Sequence, residues 1–208
     1  MFTIQKLIFK DRFIEIYLDN EEKFYISYEI YQQRSFEKDQ SVDEILYQFI
    51  QDESEKFQCY QKALSYLAIR NRSTLEIENY LKKKQFSGNI IKEIIIKLKE
   101  NKYVSDYEFA VEFIQSKIKK KTIGKNLIKR KLNDKGITRE TIKKAIEKTE
   151  AHLINFDEVY ELAIKKYGTI RDKPNATKKL EYFLFQRGFD WDVIKKVIHT
   201  IKNNDEYI

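Results

Sequence analysis

The side chains in this sequence best placed to do chemistry are cations. Between Gln115 and Asn133 stand Lys117, Lys119, Lys120, Lys121, Lys125, Lys129, Arg130 and Lys131, with no acidic residue among them. Lys125 and Lys129 are four apart, a spacing that puts both on one helix face, where like charges repel by about 0.2–0.5 kcal/mol. A helix that keeps such a pair is suited to meeting phosphates or an acidic protein groove. The plain alternative is a solvated helix face. A second group is Arg70 and Arg72, just before Ser73, with Lys82, Lys83 and Lys84 nearby. Arginine at a helix C-terminus also offsets the macrodipole, which is reason enough for one of the two. Arg171, Lys173, Lys178 and Lys179 form a weaker third patch.

Bond-making chemistry is poorly represented. His152 and His199 are far apart and lack cysteine or carboxylate partners at ligand spacing, so both read as helix-surface histidines. Cys59 has no base beside it and reads as a packed thiol. The "TIGKN" segment has a glycine and a lysine but not the glycine-rich loop that wraps a phosphate. No metal, cofactor or catalytic residue is expected, and any nucleotide in a functional complex would belong to a partner.

The bulk composition agrees with a binding role. The 208 residues carry a net charge of +7, unevenly spread. From Met1 to Lys56 there are 7 Lys and Arg against 13 Asp and Glu, a net of −6; from Phe57 to Ile208 there are 33 against 20, a net of +13. Such asymmetry suggests a polyanionic partner for the larger part. Five glycines and one proline favour long helices with few loops. A single cysteine and no signal peptide point to a reducing cytoplasm, and no run is apolar enough for a membrane span. A monomer is expected.

The elements that must position these cations are mostly helices. The start is different: "FTIQKLIF", "RFIEIYL" and "KFYIS" are β-branched and aromatic runs bounded by turn residues, which predicts a small antiparallel meander. A helix within Val42 to Lys56 is predicted by Val42, Ile45, Leu46, Phe49 and Ile50 falling on one face. A meander this small should pack on that helix.

From Phe57 the chain repeats. Leu81, Leu132 and Leu184 are 51 and 52 residues apart. Five residues after each comes Phe86, Ile137 or Phe189, and five further on Ile91, Ile142 or Ile194. Ile94, Ala145 and Val197 follow, then Ile95, Ile146 and Ile198; upstream, Ala63, Ala110 and Ala163 correspond. Gly136 and Gly188 precede Ile137 and Phe189, where a helix should end in a left-handed residue. Gln85 holds that place in the first copy and should reduce stability unless the turn differs. Ser73 with Glu76, Ser105 with Glu108 and, more weakly, Asn155 with Glu158 have capping-box spacing. Pro174 marks the start of a helix. Nine helices are predicted, at 57–70, 74–84, 88–101, 105–119, 123–135, 139–151, 156–168, 174–187 and 190–203. Tyr60, Tyr66, Tyr80, Phe109, Phe113, Phe183 and Phe189 fall at core spacing and are read as packing residues before base-stacking ones.

These blocks resemble a known family. "ALSYLAIRNRSTLEIENYLKKKQF" resembles the signature of the RecX regulatory proteins, with Arg70, Arg72, Ser73, Glu76 and Leu81 on the pattern. "YVSDYEFAVEFI" resembles a second block through Asp106, Phe109 and Ala110, and "IGKNLIKRKLNDKGI" a third through Gly124, Leu132 and Gly136. The likeness covers Phe57 to about Asn203; the third copy is more divergent, and Gln85 departs from the usual glycine. The resemblance implies a mainly α protein of three tandem three-helix repeats in an elongated curved array, preceded by a small β-containing region. The implied divisions are 1–56, 57–103, 104–153 and 154–208. It further implies binding to the bacterial RecA recombinase and its nucleoprotein filament on single-stranded DNA. There the protein would modulate, with inhibition expected, filament growth, ATP hydrolysis and strand exchange in DNA repair and recombination. Contact with single-stranded or duplex DNA directly is the rival expectation, since three-helix units also occur in DNA-reading domains. A general helical scaffold is the third, and the basic bias counts against it. The residues expected to face a partner or DNA are Arg70, Arg72, Lys117, Lys119, Lys120, Lys121, Lys125, Lys129, Arg130, Arg171, Lys178 and Lys179.

Overall fold

The computed structural model describes residues 2–118, 123–149, 156–172 and 174–205. The chain divides into two compact units, Met1–Val104 and Ser105–Ile208. The first begins with the predicted meander: β1 (Phe2–Phe9), β2 (Phe13–Leu18) and β3 (Lys23–Ser27) pair antiparallel. A two-residue strand not anticipated from sequence, β4 (Ser41–Val42), pairs with the start of β1, giving the order β3-β2-β1-β4. The register shifts between Ile4 and Lys6, and next to it the backbone amides of Asp19 and Asp39 donate to the Thr3 and Ile4 carbonyls. A short helix, α1 (Tyr28–Gln33), follows β3 and was also not anticipated; six residues are too few to show a helical period.

The helix expected within 42–56 and the helix expected at 57–70 are one helix, α2 (Glu44–Leu67), 24 residues long. No glycine or proline interrupts it, so the change in charge near Lys56 is a change of partner along one rod. Its first half buries Leu46 and Ile50 against Ile4, Ile16, Phe24 and Phe36 of the sheet region. At its middle the buried Ser54 hydroxyl accepts the Tyr25 amide of β3 at 2.9 Å. Its second half buries Cys59 and Ala63 among α3 (Thr74–Lys83) and α4 (Gly88–Glu100), completing the first three-helix repeat.

The second unit holds the other two repeats: α5 (Asp106–Ile118), α6 (Lys125–Asn133) and α7 (Arg139–Thr149), then α8 (Phe156–Gly168), α9 (Ala176–Gln186) and α10 (Trp191–Asp205). Each repeat has its own core. Ala63, Ala110 and Ala163 are fully buried, as are Leu81, Leu132 and Leu184, so the alignment by periodicity is the alignment of the cores.

The turns recur with the cores. The amides of Phe86, Ile137 and Phe189 donate to the carbonyls of Leu81, Leu132 and Leu184, and the residue before each is left-handed. This is a Schellman ending repeated three times. Gly136 and Gly188 supply it at φ 76° and 82°, and Gln85 takes the same conformation at φ 67°. The turn in the first copy is therefore the same turn with a side chain forced into it. Ser73 and Glu76 form the complete capping box, and the Ser105 hydroxyl accepts the Glu108 amide at 3.2 Å. Asn155 lies outside the described residues. Pro174 sits in the turn before α9, which starts two residues later at Ala176 behind a left-handed Asn175. Among the described residues no helix is long and apolar enough to cross a membrane.

Candidate partner-binding surfaces

The basic run of the second repeat is divided by the geometry of one short helix. At 100° per residue, α6 turns Ile128 and Leu132 into the core of its repeat. Lys125, Lys129 and Asn133 then fall on one flank and Leu127 and Lys131 on the other. On the first flank they line a cleft of about 480 Å³ with Arg139, Ile142, Lys143, Ile146 and Glu147 of α7. Lys125 and Lys129 thus share a face, as their spacing predicted. On the second flank Leu127 and Lys131 line a groove of about 370 Å³ with Lys117, Ile123, Phe183, Gln186 and Arg187. That groove crosses from the second repeat to the third. At Phe183 and Gln186 it meets another, of about 520 Å³, lined also by Lys166, Ile170, Lys178, Lys179 and Tyr182. Among the described residues no acidic one lines either groove.

What fixes the second flank is a close joint between backbones. The start of α6 has no side-chain cap at Gly124. Its first amides donate to carbonyls at the end of α9: Gly124 N–H to Arg187 O at 2.7 Å and Asn126 N–H to Gly188 O at 3.0 Å. The Asn126 side-chain amide adds a bond to Asp190 Oδ1 at 2.7 Å. Orphan donors of one helix are satisfied by orphan acceptors of another, with their macrodipoles aligned favourably. Both glycines are needed for the approach. A Cβ on Gly124 would stand 2.5 Å from the Phe189 amide nitrogen and closer still to the Gly188 carbonyl; one on Gly188 would run into Leu127. The sequence marked Gly124 by its place in the third block and as the glycine of the rejected "TIGKN" phosphate loop; its joint role leaves no trace in a local pattern.

The other predicted residues have local partners as well as exposure. Arg70 pairs with Glu76 at 3.0 Å and donates to the Asn71 carbonyl at 2.7 Å. The Arg72 guanidinium lies 4.1 Å from the centre of the Tyr66 ring, which stacks on Tyr80 at 4.1 Å and 6°. Such a cation on an aromatic face contributes about 0.5–2 kcal/mol depending on desolvation. The two arginines therefore hold the turn between α2 and α3, a role that repeat alignment alone did not supply. Arg130 is exposed between the two flanks of α6 and lines neither. Arg171 is exposed and near Asp172 at 3.8 Å. Lys119, Lys120, Lys121 and Lys173 lie outside the described residues, as does His152.

Sequence reasoning missed several lining residues. Arg139 and Lys143 have the same four-residue spacing as Lys125 and Lys129, and that signal was available. Arg187 and Lys166 both lie over the Phe183 ring, at 4.8 and 5.6 Å, which needed the tertiary structure. Four aromatic side chains of the third repeat are exposed among the described residues: Phe156 by 37%, Tyr182 by 65%, Phe185 by 50% and Trp191 by 51%, with Phe185 and Trp191 stacked at 5.6 Å. The aromatics expected in cores are there or packed against them.

The remaining reactive groups are quiet. Cys59 is fully buried, and desolvation pushes its thiol up to about 12, which leaves it protonated at neutral pH. His199 sits beside Asn203, with 2.9 Å between Nδ1 and the amide nitrogen. Among the described residues no three His, Cys, Asp or Glu side chains gather as metal ligands.

Comparison with known proteins follows the same divisions. Residues 59–98 match the family model described as RecX, first three-helix domain; residues 105–146 match the second and residues 155–198 the third. A regulatory protein RecX of Bacillus subtilis (strain 168) is 32% identical over 198 residues, which is 92% of this chain and 73% of that one. Another, of Clostridioides difficile (strain 630), is 30% identical over 198 residues, 93% of this chain and 92% of that one. A crystal structure of a regulatory protein RecX superimposes with a TM-score of 0.77, covering 95% of this chain and 98% of that one at 23% identity. That of RecX from Lactobacillus salivarius gives 0.61 over 71% of this chain and 97% of that one at 24% identity.

Proposed function

The chain belongs to the RecX family of regulatory proteins, and on that premise we propose that it is a non-enzymatic regulator of the RecA recombinase. In this reading it binds RecA and its nucleoprotein filament on single-stranded DNA and lowers filament growth, ATP hydrolysis and strand exchange. The observation that carries the reading is the division of the cations over two opposite flanks of α6. A surface meant for one polyanion needs one face. Two cationic faces on a short helix suit a partner that is itself composite, with protein and nucleic acid both within reach. The groove at the joint of the second and third repeats and the one that meets it at Phe183, with no acid among their described lining residues, fit the phosphate side of such a partner, and the α6–α7 cleft is left for protein.

The test is binding to RecA-coated single-stranded DNA, measured against bare DNA and free RecA. Reversing Lys125 and Lys129 to glutamate should weaken filament binding at least tenfold, as should reversing Lys178 and Lys179. Both changes lie on exposed or half-exposed surface and should leave the fold intact. Unchanged filament binding in both variants would refute the assignment of these faces.

A direct nucleic-acid binder is the second reading, and the lysines and exposed aromatics around Tyr182 favour it. Salt dependence separates the two. A protein that neutralises several phosphates loses about 10³–10⁵ in affinity for bare DNA between 50 and 200 mM salt when 6–10 contacts are involved. Tight binding to bare DNA with that slope, undiminished without recombinase, would favour the second reading.

A further inference from the structure

The cleft between α6 and α7 has a chemistry of its own. Along α6, Lys125, Lys129 and Asn133 recur at every fourth residue; along α7, Arg139, Lys143 and Glu147 do the same. Two rails are thus set on either side of Ile142 and Ile146. Each rail carries two cations, and the methylene stems of the lysines add carbon to the isoleucine floor. Among the described residues of the lining the one acid, Glu147, sits 3.9 Å from Lys143 on the same rail. The volume, about 480 Å³, falls in the range of sites that enclose a ligand group.

We infer that this cleft receives an acidic peptide segment of a protein partner, one that places an aliphatic side chain between its carboxylates. The inference rests on the reading of the chain as a protein-binding regulator and names the chemistry of the segment bound. Three features select a peptide over a nucleic acid. The floor is aliphatic, whereas bases are held by stacking on aromatic rings, and among the described residues no ring lines this cleft. Glu147 would repel a chain that is anionic along its whole length, but a peptide can meet it with a neutral or basic residue. The opposite flank of α6 differs on both counts, with Phe183 and no acid among its described lining residues. Cations on both sides with carbon between them complement an amphipathic helix whose acidic residues border an aliphatic stripe.

A test that contains no recombinase keeps this inference separate from the function proposed above. The full chain is titrated against a dye-labelled 16-residue helical peptide with leucines at i, i+4 and glutamates flanking them, at physiological ionic strength, read by anisotropy. Comparators are the same peptide with alanine for leucine and an oligo-dT of similar charge. The leucine peptide is expected to bind at least tenfold tighter than the alanine peptide and to resist displacement by oligo-dT. Lys129→Glu with Arg139→Glu should weaken it at least tenfold, while Lys178→Glu with Lys179→Glu should not. Circular dichroism checks the fold of each variant, and Lys143→Ala serves as a milder change if the double reversal unfolds. Equal binding of the two peptides, no binding of either, displacement by oligo-dT, or loss of binding through Lys178 and Lys179 instead would each overturn the inference.

Discussion

Replacing Gly124 by serine sets two rules of helix structure against each other. Gly124 is the N-cap of α6, with φ −81° and ψ 166°, a conformation open to any residue. Serine is the better N-cap, and at an exposed helix start the change should stabilise by about a few tenths of a kcal/mol. The first repeat has Ser73 at the corresponding position. In the second repeat the new Cβ would stand 2.5 Å from the Phe189 amide nitrogen and closer to the Gly188 carbonyl, and all of these are backbone atoms. The joint must open. Opening removes the bonds Gly124 N–H to Arg187 O, Asn126 N–H to Gly188 O, and Asn126 to Asp190. At about 0.5–1.5 kcal/mol each, the three bonds lose about 1.5–4.5 kcal/mol, several times the capping gain. For a unit of this size a loss of 2 kcal/mol lowers the melting temperature by about 8 °C or more. Scanning calorimetry reads that shift, and hydrogen exchange at Gly124 and Asn126 locates it, since both amides should lose protection. A melting temperature unchanged or raised, with both amides still protected, would refute the joint.

Two further perturbations probe the first unit. Gln85→Gly should raise stability by about 1 kcal/mol, read from the urea midpoint, because it relieves a non-glycine residue at φ 67°; a neutral or destabilising result would mean that the left-handed turn is not strained there. Glu15→Gln tests a covered ion pair. The Lys23 ammonium, 2.7 Å away, holds the Glu15 carboxyl below its usual range, with the Tyr17 hydroxyl assisting, and Glu15 in turn raises Lys23. A lowered carboxyl stabilises above its unfolded value of about 4.3 and loses that contribution as pH falls through the folded one. A raised ammonium contributes up to its unfolded value of about 10.4 and loses its contribution above that. The wild type should therefore exceed the variant in urea midpoint at pH 7, and the gap should narrow towards pH 3; a gap constant across that range would show that the pair is not linked to folding.

Most of the helical fold was legible because each repeat buries the same stripe. Ala110, Leu132, Ile142 and Ala145 could be placed by period alone, and Gly136 and Gly188 by the left-handed ending they supply. The length of α2 was not legible. Ser54 belongs to the sheet side and Cys59 to the repeat side, and a residue's period does not say which neighbour it faces. The strand β4 is two residues long and exists only because β1 offers an open edge. The cations of α6 were found as a cluster by composition, but their division needed the helix to be laid between two neighbours. Lys125 and Lys131 are six apart on one short helix and face different grooves. Arg70 and Arg72 were read as partner contacts in part because their local partners, Glu76 and Tyr66, are not marked by spacing. Trp191, Phe185 and Tyr182 were passed over because aromatic residues in a helical period usually pack inward, and these three do not.

Regulation of RecA is read by titrating the full chain into RecA on single-stranded DNA while following DNA-dependent ATP hydrolysis and strand exchange. Both should fall as the protein is added, and the Lys125→Glu, Lys129→Glu variant should need at least tenfold more protein for the same effect. Rates of hydrolysis and exchange that stay unchanged, with both proteins folded and the regulator in excess, would contradict it.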